Sequence, residues 1–320
     1  MSCQIGLVRN ARTGITTAGD EIERPHTIDL LIEFLYLLLR ERHREPDAAE
    51  PREFITMSDA ESGAVRSLYH YPIKGLSPQP LQSVELTAGC GFPFDREFGL
   101  ARFDSGFDPR DPRPLRKNHF LMLARDERLA SLQTHLDPQT AHFTIHVAGR
   151  LVHEADLSEP AGAAATGEFF GRTFGLDEAH RPTLAHAVPH RFTDVSVDSP
   201  QMMNAISLIN LASVEDLGRR IGAQVDPLRF RANVYFDGWA PFSELERVDQ
   251  EIRVGSLRLR FLRRIGRCAA TEVNLQTATR DLPIPRMLKE QYGHIHMGVY
   301  AEVLTSGSLK TAEVISVGAG

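Results

Sequence analysis

A β-rich α+β fold is the class this sequence predicts, and three observations predict it. Short runs of apolar–polar alternation recur from Val65 to the C-terminus. Gly- and Ser-containing turns separate those runs. Helical patterns are few and short, without the strand–helix rhythm of a doubly wound parallel sheet.

The elements follow in chain order. Residues 1–56 form an N-terminal extension that need not belong to the core. Thr27 caps a helix expected over Ile28–His43, and a polar run, Arg40–Arg52, carries Pro46 and Pro51. Met57-Ser58-Asp59-Ala60 then offers a second chain start. Leu129, Leu132 and Leu136 share one face of an expected helix before Asp137-Pro138. Phe143, Ile145 and Val147 alternate with His142, Thr144 and His146, and Ala148-Gly149-Arg150 turns the chain. The polar, proline-interrupted loop Gly175–Pro200 divides two β-rich domains, expected over 65–190 and 195–318. Ser213, with Asp216 three residues on, is read as an N-cap, and Gly222 stops that helix. Ile252 and Val254, then Leu257, Leu259 and Phe261, flank Gly255-Ser256 as a hairpin. Pro285 starts a further helix through Tyr292. Val299, Ala301 and Val303 alternate, and Ser306-Gly307 turns into a strand over Leu309–Val317. No internal repeat is present.

Composition removes several function classes. The chain has 320 residues, 42% hydrophobic and 24% charged, with a net charge of -6. That is a globular balance, and its sign argues against a general nucleic-acid binder. Three cysteines, Cys3, Cys90 and Cys268, exclude a disulfide scaffold and an all-cysteine iron–sulfur centre, and they suit a reduced, cytoplasmic setting. The longest apolar stretch, Leu30–Leu39, contains Glu33 and is too short for a spanning helix, so no membrane role is expected. No signal peptide is evident.

Phosphate-loop, dinucleotide, Gly-x-Ser-x-Gly and His-Glu-x-x-His motifs are absent. Gly293-His294-Ile295-His296 puts two histidines on one strand face, too few for a closed zinc site. Arg258 and Arg260 alternate with apolar residues on a solvated strand face. Arg267 differs, because it adjoins Cys268 at the end of that hairpin. A cationic neighbour stabilises a thiolate, the form that attacks electrophiles or binds soft metals. A buried, inert cysteine is the competing reading. Arg229-Phe230-Arg231-Ala232-Asn233 reads as a strand with both arginines on one face, suited to an anion or an amide, or else as an exposed edge. Tyr71-Pro72-Ile73-Lys74-Gly75 is a turn that offers backbone N–H groups and one ammonium.

Taken together, the series resembles the MOSC family, named for the molybdenum-cofactor sulfurase C-terminal domain. The segments are Leu68–Gly75, Asp95-Arg96-Glu97-Phe98, Ser207–Leu217, Arg229–Asn233, Arg267-Cys268-Ala269-Ala270-Thr271-Glu272-Val273 and Gly298–Val303. The resemblance is to members with an N-terminal β-barrel-like domain ahead of the MOSC domain, the arrangement of the mitochondrial amidoxime-reducing component and its bacterial relatives. It implies a MOSC β-barrel with short helices, binding the molybdenum–molybdopterin cofactor. Cys268 then matches the cysteine that ligates molybdenum beside two dithiolene sulfurs. Lys74 and Arg96 match the residues that hold the pterin and its phosphate. Arg231 and Asn233 match those lining the pterin pocket. Gly266 and Arg267 occupy the approach to the cysteine, and Tyr300 lies in the strand that closes the site. Gly75 stands where a serine is common, which exchanges a hydroxyl contact for a backbone one. Ala278 stands in a turn that usually carries glycine, and is expected to shift it. His296 replaces an acidic residue often found there.

The function implied is reduction of N-hydroxylated small molecules, with electrons from a separate flavoprotein or ferredoxin, since no flavin or nicotinamide fingerprint is present. The competing reading is a non-redox cofactor carrier or sulfur-transfer module with Cys268 as a persulfide site.

Overall fold

The computed structural model describes residues 61–317. Among them seven strands close into a barrel: β1 (Ser62–His70), β2 (Ile206–Asn210), β3 (Val234–Asp237), β4 (Glu251–Val254), β5 (Leu257–Gly266), β6 (His296–Val303) and β7 (Val314–Val317). The order around the wall is β3-β2-β6-β5-β4-β7-β1, and β1 pairs back onto β3. Every neighbouring pair is antiparallel except β2 and β3. A parallel pair needs a crossover, and the helix Leu211–Ile221 lies in that connection.

The alternation in the sequence builds the barrel interior. Ile252, Val254, Leu257, Leu259 and Phe261 are all fully buried. Arg258 and Arg260 point outward, and both pair with Glu251 on β4. The hairpin turns at Gly255, whose φ of +57° suits a glycine. Val65 and Leu68 of β1 join this core with Leu208, Val234, Phe236 and Val299.

Outside the barrel, Phe98–Ala101 pairs with Thr183–His186, and Gln133–Leu136, His142–Val147 and Arg150–Asp156 form a meander. The helix Pro160–Thr173 packs on the Arg150–Asp156 and Thr183–His186 strands. Their core gathers Ile73, Leu100, Leu129, Leu136, Phe143, Ile145 and Phe170, together with Val273 from beyond β5. The expected hairpin at Ala148-Gly149 forms, with both residues at positive φ.

Several local expectations are corrected. Leu129, Leu132 and Leu136 are buried, but a 3-10 turn (Glu127–Ser131) and a strand carry them rather than one helix. The helix read from Ser213 begins at Leu211. Asn210 caps it by accepting from the Ala212 N–H, and Gly222 ends it at φ +65°. The last helix spans Ile284–Tyr292, one residue ahead of its expected start. The strand expected over Leu309–Val317 is two strands, because Gly307–Lys310 leaves to pair with Ser83–Leu86 before β7 begins. Residues 1–56, with the Ile28–His43 helix and Cys3, lie outside the described residues.

Candidate active site

A cavity of about 290 Å³ lies where the turn after β1 meets the end of β5. Its lining includes Lys74, Gly75, Arg96, Arg231, Asn233, Gly266, Arg267, Cys268 and Tyr300, all nine residues singled out in the sequence.

Lys74 and Gly75 come from the turn that leaves β1. The Lys74 N–H donates to the Phe98 carbonyl at 2.8 Å, which docks the turn onto the neighbouring strand. The Lys74 ammonium is buried; it donates to the Phe192 carbonyl at 2.9 Å and pairs with Asp194. Gly75 adopts φ +86°, and a Cβ there would lie 3.3 Å from the Leu121 carbonyl oxygen. A serine at this position meets backbone strain, so the glycine belongs to this version of the turn.

Arg96 pairs with Asp95, and its Nη2 donates to the Arg231 carbonyl at 2.8 Å. Asp95 in turn accepts from the Tyr71 N–H at 2.8 Å. The Arg96 and Arg231 guanidiniums lie over the Tyr71 ring, at 4.6 Å and 4.4 Å from its centroid. Arg231 Nη1 donates to the Leu76 carbonyl at 2.7 Å, while Nη2 is buried without a partner. Burial, reinforced by the Arg96 charge, brings the Arg231 guanidinium down to about 10.

The strand reading of Arg229–Asn233 is corrected. Pro227–Phe230 is a 3-10 turn, Arg231 takes φ +53°, and β3 starts only at Val234. The two arginines therefore diverge. Arg229 is 3% exposed, pairs with Asp281 at 2.7 Å and donates to the Glu272 carbonyl at 3.1 Å, whereas Arg231 turns to Tyr71 and Leu76. Asn233 lines the cavity, but its side chain knits strands: Oδ1 accepts from Ser207 N and Oγ, and Nδ2 donates to the Tyr69 carbonyl.

On the opposite wall, Gly266 lies across from His296 at the end of β5. Arg267 donates from Nε to the Met297 carbonyl and from Nη1 to the Phe230 carbonyl, each at 2.8 Å. Cys268 then starts the 3-10 turn Ala269–Glu272, and its carbonyl accepts from the Thr271 N–H and hydroxyl. Its side chain is half-buried, while Cys90 is exposed elsewhere. Tyr300 projects from β6, with the Arg263 guanidinium 5.8 Å from its ring centroid. Burial and the Asp194 carboxylate raise its hydroxyl above the ordinary tyrosine range.

Sequence reasoning missed Lys117 and Asp194. Asp194 accepts from Lys74 and lies 3.5 Å from the Lys117 ammonium. Burial opposes its charge, but Lys74 and Lys117 together hold it far below the usual carboxylate range. Burial likewise opposes the Lys117 charge, and Asp194 with the neighbouring Cys268 side chain outweighs it. Lys117 begins a 3-10 turn and Asp194 sits in a loop, neither with a periodicity to mark it, and only tertiary folding unites them with Cys268. The rings of His294 and His296 lie 5.3 Å apart; His294 sits in the loop before β6, whereas His296 is the first residue of that strand.

Residues 62–178 match the MOSC N-terminal beta barrel domain, and residues 186–319 match the MOSC domain. No curated protein matches the sequence. Among solved structures, the YuaD protein from Bacillus subtilis is similar at 13% identity and a TM-score of 0.38, over 79% of this chain and 94% of that one. YiiM from Geobacillus stearothermophilus is similar at 16% identity and a TM-score of 0.28, over 35% of this chain and 53% of that one. With both domain matches in order along a β-rich chain built on a closed seven-stranded barrel, the chain belongs to the MOSC family, as a protein with a MOSC N-terminal β-barrel domain ahead of its MOSC domain.

Proposed function

We propose that this chain binds a molybdenum–molybdopterin cofactor through Cys268 and reduces N-hydroxylated small molecules, taking electrons from a separate donor protein. The observation that carries the reading is the convergence on one cavity of a half-buried cysteine and a cationic wall built from three separate segments. The residues fit such a group in three respects. Thiolate is a soft donor suited to a redox metal. Among the described residues no cluster of three His, Cys, Asp or Glu competes for a metal, which leaves positions beside Cys268 for ligands from a cofactor. Arg231 Nη2 is a buried donor awaiting an acceptor, as a phosphate or pterin oxygen would be.

In this reading Lys74, Arg96 and Arg231 hold the phosphate and pterin, Gly75 lets the turn approach them closely, and Cys268 ligates the metal. When bound, the cofactor supplies the two-electron chemistry that removes oxygen from the substrate. The overall change is R–NHOH + 2e⁻ + 2H⁺ → R–NH₂ + H₂O: the N–O bond breaks, and both protons enter from solvent. Lys117 and Asp194 present an ammonium and a carboxylate beside Cys268, where they orient a polar substrate. Asn233 and Ser207 fix the strand crossing behind the pocket. Among the described residues no helix is long and apolar enough to cross a membrane.

The test is the molybdenum content of the purified chain, followed by reduction of an N-hydroxylated compound with a dye or an added flavoprotein or ferredoxin system. Stoichiometric metal and turnover support the reading. Full loading without turnover under any donor favours a carrier instead.

A further inference from the structure

The turn that follows Cys268 is fastened from two sides by guanidinium groups. On the barrel side, buried Arg229 donates to the Glu272 carbonyl and pairs with Asp281. On the other side, Arg280 lies in the two-residue strand Thr279–Arg280, across from Val273–Asn274. Its Nη1 donates to the Ala269 carbonyl at 2.9 Å and to the Glu272 carboxylate at 3.3 Å. Its Nη2 donates to the Leu123 and Ala124 carbonyls at 3.2 Å and 3.0 Å, with the Glu127 carboxylate at 3.5 Å. One planar cation thus joins the residue next to Cys268 to a turn of the N-terminal segment. Leu123 and Ala124 also line the cavity, so Arg280 ties two of its walls together.

We propose that Arg280 is a positioning residue for Cys268: a strap that holds the Cys268 turn against the Leu123–Glu127 turn and so sets access to the thiol and retention of whatever the cavity binds. Arginine suits the task, because its fork reaches acceptors on both sides at once, whereas the ammonium of a lysine is a single point donor. In the flanking turn Ala278 holds φ +54°, and its N–H donates to the Asn274 carbonyl at 2.9 Å. Only the retention part of the proposal rests on the cofactor reading; the strap is a property of the chain's own contacts.

The experiment compares the full chain with Arg280→Met and Arg280→Lys. Cofactor-free protein is treated with iodoacetamide, and each cysteine-containing peptide is followed by mass spectrometry, with Cys90 as the internal reference and thermal melting as the control for folding. The expected result is Cys268 alkylation about tenfold faster in Arg280→Met, an intermediate rate in Arg280→Lys, and an unchanged Cys90 rate, as local opening without global unfolding requires. Equal Cys268 rates in all three proteins overturn the proposal. Should Arg280→Met melt too low to use, the folded Arg280→Lys variant decides by the same comparison with the wild-type rate. Loaded protein is then dialysed and its molybdenum followed, with faster loss expected from Arg280→Met. If no preparation holds molybdenum, the cofactor reading fails while the alkylation rates still decide the strap.

Discussion

Glu244 offers a test of stability against pH. It is fully buried in the 3-10 turn Ser243–Glu246, with Ser213 Oγ 3.1 Å from both carboxylate oxygens and Asn210 Nδ2 3.4 Å from Oε2. No cation answers it in these contacts, and burial pushes the carboxyl from 4.5 up to about 7. A carboxyl raised in this way holds a proton in the native state that the unfolded chain has already released. Stability is therefore greatest below the unfolded value and falls as pH rises from 4.5 toward 7. A shift of that size corresponds to about 3 kcal/mol at most. The assay is urea unfolding of wild type and Glu244→Gln between pH 5 and pH 8. Other titrating groups are common to both proteins, so the stability difference isolates Glu244. It should move in favour of the variant by about 2–3 kcal/mol across that interval. Parallel pH curves would refute the reasoning, because they would mean that Glu244 ionises alike in both states. The turn matters to the site as well, since its Leu245 carbonyl accepts from Arg264 Nε at 2.7 Å on the cavity wall.

Other expectations follow from the cavity and its turns. Cys268→Ala should fold, melt near the wild type and lose most of its molybdenum and activity, whereas Cys90→Ala should keep both; metal content measured beside turnover checks this. Gly75→Ser, placed at φ +86° against the Leu121 carbonyl, should lower stability by about 1–2 kcal/mol in chemical denaturation. Ala278→Gly should raise it by about 0.5–1 kcal/mol, by relieving a left-handed alanine at an exposed turn, again read from denaturation midpoints. Loaded protein should turn over with a dye donor and not with NADH alone; NADH-driven turnover by pure protein would overturn the separate-donor reading.

What the sequence disclosed depended on local period. The β4–β5 hairpin was legible because five apolar side chains alternate across a glycine turn, and burial repeats that pattern. The helix Pro160–Thr173 was not, since its run of alanines and glycines shows little apolar stripe and its Glu159 N-cap makes no side-chain capping bond. Leu129, Leu132 and Leu136 mimic a helical face by spacing alone, and a 3-10 turn and a strand bury them instead. At Arg229–Asn233 the alternation was real, but Pro227 and the left-handed Arg231 bend the chain and send the arginines apart. Ala278 accepts a positive φ in its turn, a conformation that its residue type does not announce. The candidate residues of the cavity emerged from linear motifs, whereas Asp194 in a loop and Lys117 at the start of a 3-10 turn belong to no motif that announces them.

The place of β1 bears on how the chain must be made. Leu68 sits beside Val234, and Ala64 beside Val314, so the earliest strand of the described chain is the staple between two late ones. During synthesis from the N-terminus, β1 emerges long before either neighbour exists. β1 therefore waits with both margins open until β3 and then β7 emerge to pair with it, and open margins invite pairing with other chains. Bringing such distant segments together is also the slow part of folding a β-rich chain. A gene cut between the two domain matches would leave the C-terminal product with open margins on β3 and β7 permanently, and its natural remedy would be to borrow a β1 from another molecule.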